Sequence, residues 1–159
     1  QAHGDDLYRR SLYTYWKRTV APPTMVTFDA TAREGCTVQR ARTNIPLQAL
    51  ALLNEITFVE AARVFAQRVT VEVEGSIEDR IGRAFLVATA RLPRTEELAL
   101  LARRFDRSLA VFRNDPSAAS ELVHVGEFNV NASLDVCELA AFTTVTSLIL
   151  NLDEVVNRE

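Results

Sequence analysis

The chain has 159 residues, 48% apolar and 25% charged, with five glycines and five prolines. That length suits one domain with a core of its own, and that composition excludes disorder over most of the chain. A net charge of −3 excludes a general nucleic-acid binder, which needs a basic surface.

The charge is uneven along the chain. Residues 1–45 hold seven basic and four acidic side chains, which is +3, so the remainder of the net −3 is −6. Lys17 is the single lysine among 18 cations. Arginine suits planar, two-pronged contacts to carboxylates, phosphates or sulfates, although high genomic GC content produces the same bias. The chain opens on Gln1 and has one methionine, Met25, so it is expected to be a processed or excised piece of a longer protein. A missing secretion signal then carries no information.

Residues 1–45 form an arm of irregular pattern. "SLYTYWKRTV" (Ser11–Val20) is rich in aromatic and β-branched residues, as strands are. "APP" breaks the chain at Pro22 and Pro23, and "TMVTF" (Thr24–Phe28) reads as a second short strand. Such a two-stranded element is marginal alone and has to lean on the helices of the remaining chain.

From Asn44 onward the periodicity is helical. Asn44 or Ile45 caps a helix whose first turn contains Pro46. "TFVE" reads as a capping box, Thr57 as N-cap and Glu60 reaching back. The helix behind it puts Phe58, Ala62, Phe65 and Val69 on a buried stripe, with Glu60, Arg63, Gln67 and Thr70 opposite. Ser76 starts the next helix, with Glu78 and Asp79 in its first turn. Its buried face is Ile77, Ile81, Ala84, Phe85 and Ala88. Gly82 costs that helix about 1 kcal/mol relative to alanine and is read as a close helix approach.

After "RLPRTEE", Thr95 caps a long helix with the stripe Leu98, Leu101, Phe105, Leu109 and Phe112. Arg103, Arg104, Arg107 and Arg113 line its wet side. Asp115 and Pro116 stop that helix and start another that runs to about Val125. "GEFNVNAS" is a loop. Asp135 caps the last helix, with Glu138 at its third position and Leu134 and Leu139 as a hydrophobic staple. Its body, "LAAFTTVTSLIL" (Leu139–Leu150), is apolar nearly all round and belongs at the centre. Its hydroxyls can bond back to the helix's own carbonyls. The run is shorter than the ~20 residues of a membrane-spanning helix, so no membrane insertion is expected. The fold class is therefore mainly α: a single domain of five to six helices (46–159) with an irregular arm (1–45).

Chemistry is scarce. No GxSxG and no glycine-rich phosphate loop occur. His3 and His124 are the only histidines, too few for a metal site or a triad. Cys36 and Cys137 match no metal spacing and no CxxCH haem attachment; one disulfide and two separate thiols are both open. No cofactor is expected in the chain itself. The carboxylate pairs Asp5/Asp6, Glu78/Asp79, Glu96/Glu97 and Asp153/Glu154 are explained by helix ends and solvation. The arm is richer, because its arginines interleave with Tyr8, Tyr13, Tyr15 and Trp16. Such a mixture suits a glycan, an anionic ligand or another domain; equally, the aromatics can be core and the arginines partners of acidic helices. The candidate binding or interface cluster is Arg40, Arg42, Asn44, Gln48, Asp29, Arg18, Trp16 and Tyr13, with no catalytic residue among them.

The run "RRSLYTYWKRTVAPPTMVTFDATAREGCTVQRARTNIPLQALALLNEITFVEAAR" (Arg9–Arg63) resembles the domain-of-unknown-function 1553 family. "ELAAFTTVTSLILNLDEVV" (Glu138–Val156) is similar to the family's ending. The chain departs from the family pattern at Thr31 and Ile56, where proline is usual, and at Gln39–Arg40, where an arginine pair is usual. The resemblance implies the C-terminal part of a large exported bacterial protein, extracytoplasmic, often with an upstream cytochrome c domain carrying haem c. It implies no activity and no catalytic residues.

Two functions are then open. One is a non-catalytic module whose arm packs on upstream domains of the same polypeptide or forms a homodimer. The other is part of an extracytoplasmic enzyme acting on polysaccharide or in redox chemistry, with Asp29, Arg40, Arg42, Asn44 and Gln48 lining a polar pocket.

Overall fold

A computed structural model of the chain describes residues 4, 13–17, 19–31, 35–39, 43 and 45–157. Among them it is mainly helical: α1 (Pro23–Thr27), α2 (Pro46–Asn54), α3 (Ile56–Glu72), α4 (Ile77–Thr89), α5 (Thr95–Asn114), α6 (Pro116–Val123), α7 (Val136–Leu150) and α8 (Asp153–Val156). The described residues form two compact units, 1–51 and 52–159, divided inside α2.

The expected pair of strands is not formed by the described residues. Lys17 and Val20 make an isolated bridge, and Thr24–Thr27 lie in α1 rather than in a strand. Proline decides this locally. Pro23 stands in the first position of α1, where its fixed φ and missing N–H suit a helix start. Thr27 Oγ1 then donates to Pro23 O at 3.0 Å.

The unit 52–159 is built around α7. That helix buries Leu139, Ala140, Ala141, Phe142, Thr143, Val145, Thr146 and Ile149 under α3, α5 and α6, with α4 beside them, and leaves Thr144, Ser147, Leu148 and Leu150 half-buried. Small residues let α3 approach closely: Ala62 and Ala66 of α3 and Ala140 and Ala141 of α7 are buried. Thr146 Oγ1 donates to Ala62 O at 2.9 Å, across to α3, as well as to its own helix. Ser108 and Thr144 share a 3.0 Å hydrogen bond between α5 and α7. Phe105 meets Phe142 edge to face, with centroids 6.5 Å apart, an arrangement aromatic pairs favour.

The expected stripes of α4 and α5 join this core. Ile81, Ala84, Phe85, Leu101 and Phe105 are buried, and Ile77, Ala88, Leu98, Leu109 and Phe112 pack against them. Arg103, Arg104, Arg107 and Arg113 are exposed. The caps form at Ser76, Asp115 and Asp135, whose side chains accept from the N–H of Asp79, Ala118 and Glu138.

Three local expectations are corrected. Arg94, not Thr95, is the N-cap of α5, and Glu97 holds the Arg94 N–H at 2.6 Å. Gly82 is not a close approach, since a Cβ there would meet nothing within 4 Å. The N-cap of α3 is Glu55 rather than Thr57: its carboxylate accepts from Thr57 N and Oγ1 at 3.1 and 3.2 Å. Glu60 is thereby left for another partner.

Candidate functional site

In the unit 1–51, Asp29 and Gln48 come together around Thr43. Asp29 takes φ of +57°, a left-handed conformation that Asp tolerates better than most residues. Its carboxylate accepts from Thr43 N at 2.8 Å and from Thr43 Oγ1 at 2.8 and 2.9 Å. Gln48 is buried. Its amide donates to Thr27 O at 2.8 Å and Thr43 Oγ1 at 3.1 Å, with a longer 3.4 Å contact to Asp29. Its Oε1 accepts from Ile45 N at 3.2 Å, three residues back. This is the reciprocal half of a capping box, so Ile45 stands in the cap position before Pro46.

The network therefore ties α1 to the start of α2 and spends the polar atoms of both residues on structure. Of the other candidates, Tyr13 is 68% exposed and Trp16 is half-buried. Arg18, Arg40, Arg42 and Asn44 lie outside the described residues. The pocket of the enzyme reading thus has two of its five members fixed in place by internal bonds.

No apolar side chain among the described residues of this unit is buried. Tyr15, Leu47 and Leu50 are 83%, 54% and 58% exposed, and Val20, Val26 and Ile45 are exposed too. Leu47 and Leu50, three apart, share one face of α2.

A second polar constellation, on α3, is not the wet helix face that its period suggests. Glu60 and Arg63 are 2% and 1% exposed. They sit 3.6 Å apart and, with Gln67, grip the loop between α6 and α7. Phe128 N donates to Glu60 Oε1. Arg63 donates to Phe128 O at 2.7 Å and Asn129 O at 3.3 Å, and its guanidinium lies 5.8 Å from the Phe128 ring centroid. Asn131 N donates to Gln67 Oε1 at 3.0 Å. Residues 60, 63 and 67 share a helical face, so one side of α3 supplies charge and amide to a stretch of backbone that has no secondary structure to satisfy it.

A third cluster gathers two of the paired carboxylates. Arg91 bonds Glu97 at 2.8 and 2.9 Å and Glu154 at 2.7 and 3.0 Å, and its guanidinium lies 4.7 Å from the Phe85 ring centroid. Its bonds to Glu97, then those to Glu154, hold the guanidinium charged above its ordinary range. Glu97 is pushed down to about 2, first by Arg91 and then by the Arg94 N–H. A permanently charged arginine held between two glutamates suits a strut between the α4–α5 connector and α8 rather than proton transfer.

Two of the cavities among the described residues lie in the unit 52–159. One, about 210 Å³, is bordered by Arg80, Asp135 and Glu138; Asp135 is spent on its cap and Arg80 Nε on Val73 O. The other, about 180 Å³, has leucine and valine walls with Arg104, Thr144 and Ser147 among its lining. The helical period puts Arg104 on the wet face of α5, and nothing in that period marks it as the mouth of a cavity. The hydroxyls of α7 are the visible signal.

No group of histidine, cysteine and carboxylate residues able to hold a metal occurs among the described residues. No helix among them is long and apolar enough to cross a membrane. Both thiols are free, Cys36 exposed and Cys137 directed at Phe112 O.

A family model described as "Protein of unknown function (DUF1553)" matches residues 1–105. The match includes Arg9–Arg63; the second stretch with family likeness, Glu138–Val156, lies beyond it. The chain matches no curated protein and no solved structure.

Proposed function

Because the chain belongs to the DUF1553 family of proteins of unknown function, we propose that it is a helical interaction module within a larger protein, with the unit 1–51, the arm together with the start of α2, as its contact surface. The observation that carries this reading is the arm's imbalance. Its polar groups are organised by the Asp29–Thr43–Gln48 network, while no described apolar side chain in it is buried. Burying a leucine or valine contributes about 1.5–3 kcal/mol, so a segment that leaves several exposed is stabilised by a surface that covers them. Tyrosine and arginine in the same segment are the residue types favoured at such surfaces.

The partner proposed is the upstream part of the same polypeptide, in an exported, extracytoplasmic protein of a kind that often carries a cytochrome c domain. That setting is what the resemblance of Arg9–Arg63 implies.

The test is association in solution. The chain is mixed with the upstream polypeptide, produced separately, and analysed by light scattering after size exclusion. The module reading expects a stoichiometric complex that is lost in Leu47→Glu/Leu50→Glu. A chain that neither binds the upstream polypeptide nor self-associates through this face contradicts it. A dimer abolished by the same pair would keep the surface and change the partner.

A further inference from the structure

We propose that the 180 Å³ cavity lined by the end of α2 and by α3, α5, α6 and α7 is a binding site for a small amphiphilic carboxylate. The volume sets the scale. An engineered aliphatic cavity of about 150 Å³ holds a benzene ring, so 180 Å³ admits an apolar group of about six carbons. The walls suit such a group, since Leu53, Val59, Leu122 and Leu148 supply branched aliphatic surface.

The polar lining is sparse and specific. Thr143 Oγ1 is spent on Leu139 O, and Thr144 Oγ1 on Ala141 O and Ser108. Two groups remain. Arg104 makes no ion pair and Ser147 Oγ no hydrogen bond among the described residues. Arg104 is exposed and Ser147 half-buried, so the free charge stands at the solvent side and the free hydroxyl further in.

Arg104 is the one cation in the cavity's lining, which suits a single negative charge, and its planar fork fits a carboxylate by two parallel hydrogen bonds. A ligand with its tail on the leucines, its carboxylate on Arg104 and a bond from Ser147 satisfies every free group the cavity presents. None of the lining residues lies within 1–51, and the site does not depend on the proposed interaction role.

The experiment uses methyl-detected NMR of the isotope-labelled 159-residue chain, titrated with hexanoate and, in parallel, with hexan-1-ol. The cavity reading expects saturable shifts at the methyls of Leu53, Val59, Leu122 and Leu148, with hexanoate bound about tenfold more tightly than the alcohol. Arg104→Gln, at an exposed position, should bring the two probes level while leaving the fold intact. Ser147→Leu should fill the site and abolish both titrations. The proposal is overturned if hexanoate gives no saturable shift, if both probes bind wild type equally, or if hexanoate binds folded Arg104→Gln as tightly as wild type.

Discussion

The carboxylate of Glu60 occupies the space where Gly126 would carry a side chain. A Cβ on Gly126 would overlap the Glu60 carboxyl carbon and both its oxygens, and Gly126 has φ of +91°. The positive φ and the missing side chain are both needed, because they let the loop backbone run against a buried charge. Gly126→Ala should therefore lower stability by about 3 kcal/mol, from backbone strain together with displacement of the carboxylate. Urea denaturation of the two proteins measures it directly.

The companion test removes the other charge. Arg63→Met leaves Glu60 buried without its cation and deprives Phe128 O and Asn129 O of a donor. Breaking a buried pair from one side costs about 3–5 kcal/mol. Glu60→Gln should cost less, since its carbonyl still accepts from Phe128 N. Urea denaturation separates the two: the loss of stability should be larger in Arg63→Met than in Glu60→Gln.

Acid should unload the Arg91 strut. Glu97 has a folded-state value of about 2 against an ordinary 4.5. A depressed carboxylate contributes stability that is fully present above pH 4.5 and lost as the pH falls from there toward 2. Wild type should lose more stability than Glu97→Gln over that window, and the two curves should run parallel above it. Thermal melts at half-unit pH steps provide the comparison.

Gly82 offers a gain. It lies inside α4 with open space where a methyl group would stand. Gly82→Ala should raise stability by about 0.5–1 kcal/mol, through helix propensity and a less flexible unfolded chain. A drop in melting temperature would show that the space is needed.

The fold is legible in the sequence wherever a period has to be kept over several turns. The stripe Leu98, Leu101, Phe105, Leu109 and Phe112 can face only one way, and α7 can be buried only if other helices surround it. The strand expected at Thr24–Phe28 is too short a window for β propensity to outweigh a proline at a helix start. Glu60, Arg63 and Gln67 mislead for a different reason. Polar residues at 60, 63 and 67 have the same spacing whether they face water or an unpaired loop backbone, and only the tertiary structure distinguishes the two. At the candidate site, Asp29 and Gln48 stand out from sequence, but Thr43, which joins them, does not. Its role depends on a left-handed turn at Asp29 that no pattern signals. Arg104 and Ser147 meet at a cavity made by several helices, a relation that local sequence does not encode.

In the interaction role proposed for the arm, substitutions there should separate binding from stability. Leu50→Glu replaces an exposed side chain and should change the melting temperature of the 159-residue chain by no more than surface substitutions do, within about 0.5 kcal/mol. A large loss would mean that Leu50 already packs on something within the chain.

Whether the arm is an interface is decided by amide hydrogen exchange over residues 13–51, measured in the 159-residue chain and again in the complete polypeptide encoded by its gene. An interface requires fast exchange through α1 and the first turns of α2 in the chain alone, and strong protection of the same amides in the complete polypeptide, while α7 is protected in both. Equal exchange across 13–51 in the two proteins would contradict it.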